Sequence, residues 1–422
     1  MFDVITRPGR AIALGLAAMI FLSAPASAEQ LGDNLQQLLD AMERSHPVLT
    51  AAAASRQAAA ADFEIAGALE DPQFEASFED IDREDDGLLP QRLGSIFYSI
   101  EQTFPLGGKR ALRARIAKAG VTEAATERDQ ALLDLTAQMK TAFAQHFLAI
   151  RATEVVEEQD AILRDLTQIA RERYAQGLGR QQEAIEAEAE LSTLAGEAAD
   201  AERDRLIAVG RINALIGGPL DAALAPPATL PRVPDARDLD LRSLVALAES
   251  RNPTLAASMA AIEGATASNE LARRNWYPDL TVGVSLVDRD RDITGYEAKL
   301  GFNIPLQWGL RRAERSRAKA KLAGARARSS MTRLELSNRI SETLQNLRAA
   351  GIREETMRTK QLPRLGEAVD AAQRAYAVDQ AEIADILSTA RRLKQVEIEH
   401  LGMIFEQQTL FAELERLTGG SL

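Results

Sequence analysis

The chain has 422 residues, no cysteine and a formal net charge of −12 at neutral pH. The lack of cysteine excludes disulfides, thiolate metal sites and a lipidated N-terminal cysteine, and three histidines argue against a multi-histidine metal centre. The acidic balance argues against broad nucleic-acid binding. Aromatic residues make up only 5% of the chain, and the abundance of Ala, Leu, Glu and Arg favours long helices over a compact core.

Residues 1–28 are predicted to be a cleaved secretory signal peptide. Arg7 and Arg10 precede an apolar stretch, and Ala26-Ser27-Ala28 forms a small-residue cleavage site. That stretch is shorter than the roughly 20 residues of a transmembrane helix. No later run of 18 apolar residues exists. We therefore expect the mature chain either to leave the inner membrane or to cross a membrane as β-strands.

The mature chain is predicted to contain two copies of one unit. Pro47 and Pro72 recur 206 residues later as Pro253 and Pro278, and the Leu-Ile-Gly-Gly sequence ending at Gly218 resembles the Leu-Thr-Gly-Gly sequence at 417–420. Internal repeats of this kind organise whole architectures. The predicted domains are a first repeat at 29–218, a proline-rich extended linker at 219–238 and a second repeat at 239–422.

Each half shows the same order of predicted elements. The helical segments are 31–69, 107–175 and 180–216 in the first half, and 236–275, 308–375 and 381–417 in the second. The predicted strands are 72–82, 94–104, 278–288 and 295–305, with charged loops at 80–92 and 288–294. Apolar residues at coiled-coil spacing mark the long helices, and Pro363 is predicted to kink the second of them.

The four strands alternate apolar and polar residues with a period of two. This pattern suits either a sheet with one wet face or a membrane barrel with lipid outside and water inside. Four strands cannot close a spanning barrel, and an open edge in lipid would leave its backbone groups unpaired. If the strands cross a membrane, several chains must pool them. Three chains would supply twelve strands.

This ordered pattern resembles the TolC family of outer-membrane efflux channels. The motifs that carry the resemblance are the strand-to-helix turns at 102–110 and 303–309, the helix-hairpin tips at 173–178 and 375–380, and the Leu-x-Gly-Gly ends. The turn residues are Pro105, Gly107, Gly108, Pro305 and Gly309. The Pro-Leu-Gly-Gly-Lys-Arg turn looks most like the CzcC/CusC-type heavy-metal efflux branch.

The resemblance implies a mainly α fold with a transmembrane β-barrel. Four strands per chain would join in a homotrimer as a twelve-stranded barrel, standing in outer-membrane lipid on a long α-helical barrel in the periplasm. It further implies a passive exit duct that works with a periplasmic adaptor protein and an inner-membrane RND-type pump. No cofactor, resident metal or nucleic-acid partner is implied, and no catalytic triad or cofactor loop indicates an enzyme.

The resemblance also assigns roles to residues near the tips. The family docks its adaptor at a Tyr and a Gly, which match Tyr174, Gly177 and Leu178 at the first tip. Tyr376 matches at the second tip, where Asp379 replaces the Gly. The acidic residues just inside the closed entrance would be Glu183 and Asp385, a ring of six carboxylates in a trimer. The Arg that latches the gate in some members falls at Ala381, so the latch is absent or different here.

Simpler interpretations remain open for these residues. Glu183 and Asp385 could be solvated charges beside a helix turn instead of a cation-attracting ring. Gly107-Gly108-Lys109 fails the phosphate-loop pattern and suits a tight turn. Lys109 and its basic neighbours could contact lipid headgroups or be ordinary helix-surface charge. The alternative functions are a type I protein-secretion channel and a soluble periplasmic coiled-coil scaffold.

Overall fold

The fold is described from a computed structural model covering residues 31–79, 95–177, 179–289, 292–378 and 380–422. The predicted signal peptide and the charged loop at 80–92 lie outside these residues, as do Leu178 and Asp379. No helix in these ranges is both long enough and apolar enough to cross a membrane.

Helices and a small sheet account for most of the described chain. The helices are α1 (Leu35–Ser45), α2 (Pro47–Gly67), α3 (Lys109–Ala175), α4 (Gln181–Ile216), α5 (Leu241–Arg251), α6 (Pro253–Arg274), α7 (Trp308–Thr356), α8 (Leu362–Ala377) and α9 (Ile383–Thr418). The strands are β1 (Gln73–Glu79), β2 (Ser95–Phe104), β3 (Leu280–Arg289) and β4 (Asp292–Phe302). The order of elements from α1 to α4 recurs from α5 to α9.

The first helical segment of each half is broken where the sequence analysis predicted one helix. Because Pro47 and Pro253 disfavour a helical conformation in the preceding residue, His46 and Asn252 adopt extended backbones. Each ends one helix and caps the next. The His46 ring accepts the Val48 amide, and the Asn252 side chain accepts two amides of α6.

The four strands form one antiparallel sheet in the order β1-β2-β3-β4. The register places apolar residues on a single face, for example Tyr98 opposite Leu286 and Leu286 opposite Tyr296. The exposed apolar residues of this face include Phe74, Phe78, Tyr98, Ile100, Phe104, Val282, Val284, Leu286, Tyr296, Leu300 and Phe302. The last hairpin is tighter than predicted, because strand pairing continues to Arg289 and resumes at Asp292.

The long helices give the chain its length. The 67 residues of α3 extend about 100 Å at 1.5 Å per residue. The equivalent stretch of the second half is interrupted by a π-helical segment, Met357–Gln361, between α7 and α8. It lies directly before Pro363, the residue predicted to disturb this helix. Proline lacks the amide that an α-helix needs at that position, which explains why the irregularity falls here.

Residues 219–238 contain neither helix nor strand, and they pack against both halves of the chain. Leu224 and Leu230 pack against the core formed by α1, α3 and α4, whereas Val233 and Ala236 pack into the core formed by α5, α7 and α9. Arg348 of α7 donates to the Ala236 carbonyl at 3.0 Å. The connection therefore ties the two halves together along its length.

Candidate functional site

The α3–α4 and α8–α9 hairpins end side by side and share one hydrophobic core. Its buried residues are Val156, Leu163, Leu166 and Ala170 of α3, Ala184, Ala187 and Leu194 of α4, Tyr376 of α8, and Ile383, Ile386 and Leu387 of α9. Beyond this core, Arg391 of α9 pairs with Glu190 of α4 at 2.6 Å, and Lys394 pairs with Glu197. The two tips are thus one packed unit within a single chain.

The two tip tyrosines occupy different environments. Tyr174 is 47% exposed, whereas Tyr376 is 7% exposed and lies under the Arg173 guanidinium, 5.0 Å from the ring centroid. Gly177 has a φ of 73°, a left-handed conformation that a residue with a Cβ adopts only with strain. The first tip therefore presents its tyrosine to the surface and the second tip does not.

Glu183 and Asp385 occupy equivalent places in the first turns of α4 and α9. Asp385 is exposed and takes part in a capping box, in which its carboxylate accepts the Glu382 amide at 3.1 Å. Glu183 is half-buried, and its amide donates to the Arg180 carbonyl at 3.2 Å. A local capping role therefore explains Asp385 without any pore, and the carboxylate of Glu183 has no such role.

An ion pair joins the two hairpins beside these carboxylates. Arg180, which precedes α4, contacts Glu382, which precedes α9, at 2.8 Å. The two residues are 202 positions apart, the same spacing that separates Tyr174 from Tyr376. The family resemblance places the latch at Ala381, one residue before Glu382, and so does not identify this pair. The opposite charges of Arg180 and Glu382 at equivalent positions of the two halves could have identified it.

The first strand-to-helix turn joins β2 to α3. Pro105 follows β2, and Gly107 and Gly108 both adopt left-handed conformations, with φ values of 72° and 75°. A Cβ on Gly107 would lie 3.1 Å from the Tyr277 ring. The second turn differs, because Pro305 lies between β4 and α7 whereas Gly309 lies inside the first turn of α7. The prediction that Gly309 forms the turn is therefore wrong in this detail.

Lys109 faces the protein interior, which contradicts the prediction that it lies on the surface or contacts lipid headgroups. It is 4% exposed, and its ammonium donates to the Tyr277 carbonyl at 2.7 Å and to Asp279 Oδ1 at 2.8 Å. Asn303 Nδ2 donates to the other carboxylate oxygen at 3.0 Å. Burial acts to raise the pKa of Asp279, but the hydrogen bonds from Lys109 and Asn303 outweigh it and lower the pKa.

The three histidines lie apart, and each has a local environment of its own. His46 caps α2, His146 is buried in α3, and His400 lies 3.0 Å from Glu354. Burial lowers the pKa of His146. Within the described ranges no three His, Asp or Glu side chains come close enough together to hold a metal ion.

The comparisons with known proteins agree with this architecture. The sequence pattern of the family described as "Outer membrane efflux protein" matches residues 38–218 and 244–420. The chain belongs to this family. The efflux family comprises channels and not enzymes, and the resemblance to it is confirmed. Its pattern matches once in each half of the chain.

Curated relatives of this efflux protein carry metal-resistance names. It is 26% identical to the nickel-cobalt-cadmium resistance protein NccC of Alcaligenes xylosoxydans xylosoxydans, over 68% of this chain and 64% of that one. It is 29% identical to the nickel and cobalt resistance protein CnrC of Cupriavidus metallidurans, over 75% and 73% of the two chains. The match thus spans just under two thirds of NccC.

Solved structures share the fold over nearly the whole efflux chain. CusC, described in terms of folding and transmembrane channel formation, superposes with a TM-score of 0.81 over 99% of both chains at 13% identity. VceC of Vibrio cholerae superposes with a TM-score of 0.79 over 92% of this chain and 96% of that one, at 18% identity. The expected combination of long helices and a small sheet is confirmed.

Proposed function

We propose that this efflux protein is the passive exit duct of a tripartite pump, assembled as a homotrimer in the outer membrane of a Gram-negative bacterium. The observation that carries this proposal is the four-stranded sheet with its exposed apolar face, joined to long helices of which α3 extends about 100 Å. The sheet suits lipid on one face and water on the other. The signal peptide at 1–28 would deliver the chain to the periplasm, into which the helices extend.

Two features support a trimer: the open edges of the sheet, which a closed barrel would pair, and the internal repeat of the sequence. β1 and β4 are the outer strands of the sheet, and such edges cannot remain unpaired in lipid. Three chains would pair them into a barrel of twelve strands. We take the two halves to be copies of one unit, joined at 219–238, so the closed assembly would approach sixfold symmetry.

We propose heavy-metal cations as the cargo, since NccC and CnrC are named for nickel, cobalt and cadmium resistance. A periplasmic adaptor and an RND-type inner-membrane pump would deliver the ions and supply the energy. The exposed tip residues Tyr174 and Gly177, together with Leu178 and Asp379, would dock the adaptor. Tyr376 would contribute by supporting the tip from inside, since it is buried.

A deletion strain tests the cargo. Loss of the gene should lower growth on nickel, cobalt or cadmium salts, while resistance to detergents and secretion of proteins stay unchanged. Sensitivity to detergents and drugs alone would contradict the metal assignment, and loss of a secreted protein would favour a type I secretion channel. Recovery of the chain in the soluble periplasmic fraction would favour a coiled-coil scaffold and overturn the duct.

The acidic ring is tested by removing charge without removing the cap. The double variant Glu183→Gln and Asp385→Asn should lower the cation selectivity of single channels in planar bilayers, because clustered carboxylates focus negative potential. Asn at 385 still accepts the capping amide. The charge-retaining pair Glu183→Asp and Asp385→Glu should keep the selectivity. An unchanged reversal potential in the neutral variant would remove the ring from the proposal.

A further inference from the structure

The two halves of the chain can be aligned residue by residue from their burial. The capping residues His46 and Asn252 fix a spacing of 206 residues for α1–α2 against α5–α6. The buried residues Met139, Phe143 and Ala149 of α3 correspond to the buried residues Ile340, Leu344 and Ala350 of α7, a spacing of 201. Helices α4 and α9 correspond at 202, since they begin at 181 and 383 and end at 216 and 418.

This alignment shows that α7 lacks neighbours that α3 has. Helix α3 packs against α2 and α4 of its own half and also against α6 and α9 of the other half. Helix α7 packs against α6 and α9, but in the described part of the chain neither α2 nor α4 packs extensively on it. The missing neighbours are therefore an α2 and an α4, and both would have to come from another copy.

The exposed faces of α2 and α7 can be compared with the contact between α3 and α6, to which they are equivalent. Where α3 crosses α6, a Cβ placed on Gly264 would lie 3.1 Å from the Cβ of Ala119, so the helices touch closely at that point. The equivalent positions are Ala320 on α7 and Ala58 on α2, and both are exposed in the single chain. Farther along, Gln130 and Thr254 are hydrogen-bonded at 2.8 Å. Their equivalents are Met331 and Val48, which are 54% and 48% exposed.

The contact between the halves of one chain contains ion pairs that have no equivalent at the matching open positions. The polar pairs within the chain are Lys109–Asp279, Arg115–Glu270, Gln130–Thr254, Asp134–Arg416 and Lys140–Glu415. The equivalent positions hold, in the same order, Leu310 and Gln73, Ser316 and Glu64, Met331 and Val48, Glu335 and Ala214, and Ser341 and Asn213. None of these five is a pair of opposite charges.

We infer that α7 of one copy seats on α2 of the next copy through an apolar, small-residue contact, with Ala320 against Ala58 and Met331 against Val48. This inference rests on the proposed assembly and adds its residue pairing and chemistry. The ring would then alternate two kinds of contact, one with ion pairs within each chain and one without the equivalent ion pairs between chains. The contact is head-to-tail, because the two surfaces are different parts of the chain.

Cysteine cross-linking tests this pairing directly, because the natural chain has no cysteine. The close approach at Ala119 and Gly264 indicates that cysteines at 58 and 320 fall near the 3.5–4.5 Å Cβ separation typical of disulfides. The double variant Ala58→Cys with Ala320→Cys, oxidised in native outer membranes, should yield three-chain products on denaturing gels. Co-expression of the two single variants should yield two-chain products only, and each single variant alone should yield none.

A matched control moves one cysteine along the same face of α7. Ala327 is also exposed but lies seven residues, or about 10 Å, farther along the helix. Ala58→Cys with Ala327→Cys should not cross-link. Cross-linking through 327 and not through 320 would overturn the pairing while leaving the duct intact. Cross-linking of a single variant with itself would show a symmetric contact and would also overturn it. Monomers in the soluble fraction would instead overturn the proposed function.

Discussion

The buried ion pair between Lys109 and Asp279 connects the first turn of α3 with the start of β3, 170 residues away in sequence. The Lys109 side chain is almost fully enclosed and its partner is largely so. Removing one partner of such a pair leaves an unpaired buried charge, which costs about 3 kcal/mol or more. The pair therefore holds the helical part of the chain to the sheet at the point where the two structures meet.

We expect Asp279→Asn to lower the melting temperature of the purified protein at pH 7. Because its pKa in the folded protein is lowered, the carboxylate contributes stability above its ordinary pKa of about 3.9, and this contribution is lost as the pH falls below that value. The difference between wild type and variant, measured by circular dichroism, should therefore shrink below about pH 4. A difference that stays constant down to pH 2 would contradict the ion pair.

Among the helices, the π segment explains why the spacing between equivalent residues of the two halves changes. The spacing between the halves is 201 before Met357–Gln361 and 202 after it, as expected if the second half carries one extra residue there. A π-bulge absorbs a single insertion without rotating the helix beyond it. Helix α9 therefore keeps a constant spacing of 202 residues from α4 along its whole length.

We expect deletion of Thr359, combined with Pro363→Ala, to be tolerated. Thr359 is exposed within the π segment, so its removal should restore a continuous α-helix and leave the tip core in place. The matched control is deletion of Glu158, the exposed equivalent residue of α3, which would rotate the rest of that helix by about 100°. Outer-membrane yield and melting temperature should fall only for the control. Equal losses in both variants would contradict the insertion.

In the proposed trimer, the contacts between chains should respond to salt differently from those at the tips. The open faces of α2 and α7 carry no equivalent of the ion pairs found between the halves. Salt screens exposed charges over about 10 Å at 0.1 M and about 3 Å at 1 M, but it does not weaken apolar contacts.

We therefore expect the temperature at which the oligomer dissociates, read on semi-denaturing gels, to stay within a few degrees between 0.1 and 1 M NaCl. A steep fall of the dissociation temperature with salt would show that ion pairs hold the copies together.

In contrast, single-channel conductance should rise with Arg180→Glu and return toward wild type with Arg180→Glu and Glu382→Arg together, since this exposed pair joins the tips.

The sequence by itself determined the mainly helical fold with a small sheet and the family. These features rest on local signals: apolar periods of two and of coiled-coil spacing, prolines that end helices, and the glycines of the first turn. These signals do not locate the boundary between two adjacent helices. At Pro47 the sequence predicts one helix, whereas the structure has two.

Only the tertiary structure decided which side chains meet. The sequence predicts lipid contact or a surface position for Lys109, because its partner lies 170 residues away. It predicts equivalent tip tyrosines, whereas packing buries Tyr376 and leaves Tyr174 exposed. Likewise, the pairing of Arg180 with Glu382 depends on two hairpin ends that meet only after α3 and α9 have packed. Local patterns specify elements, whereas burial and ion pairing depend on contacts between segments that are distant along the chain.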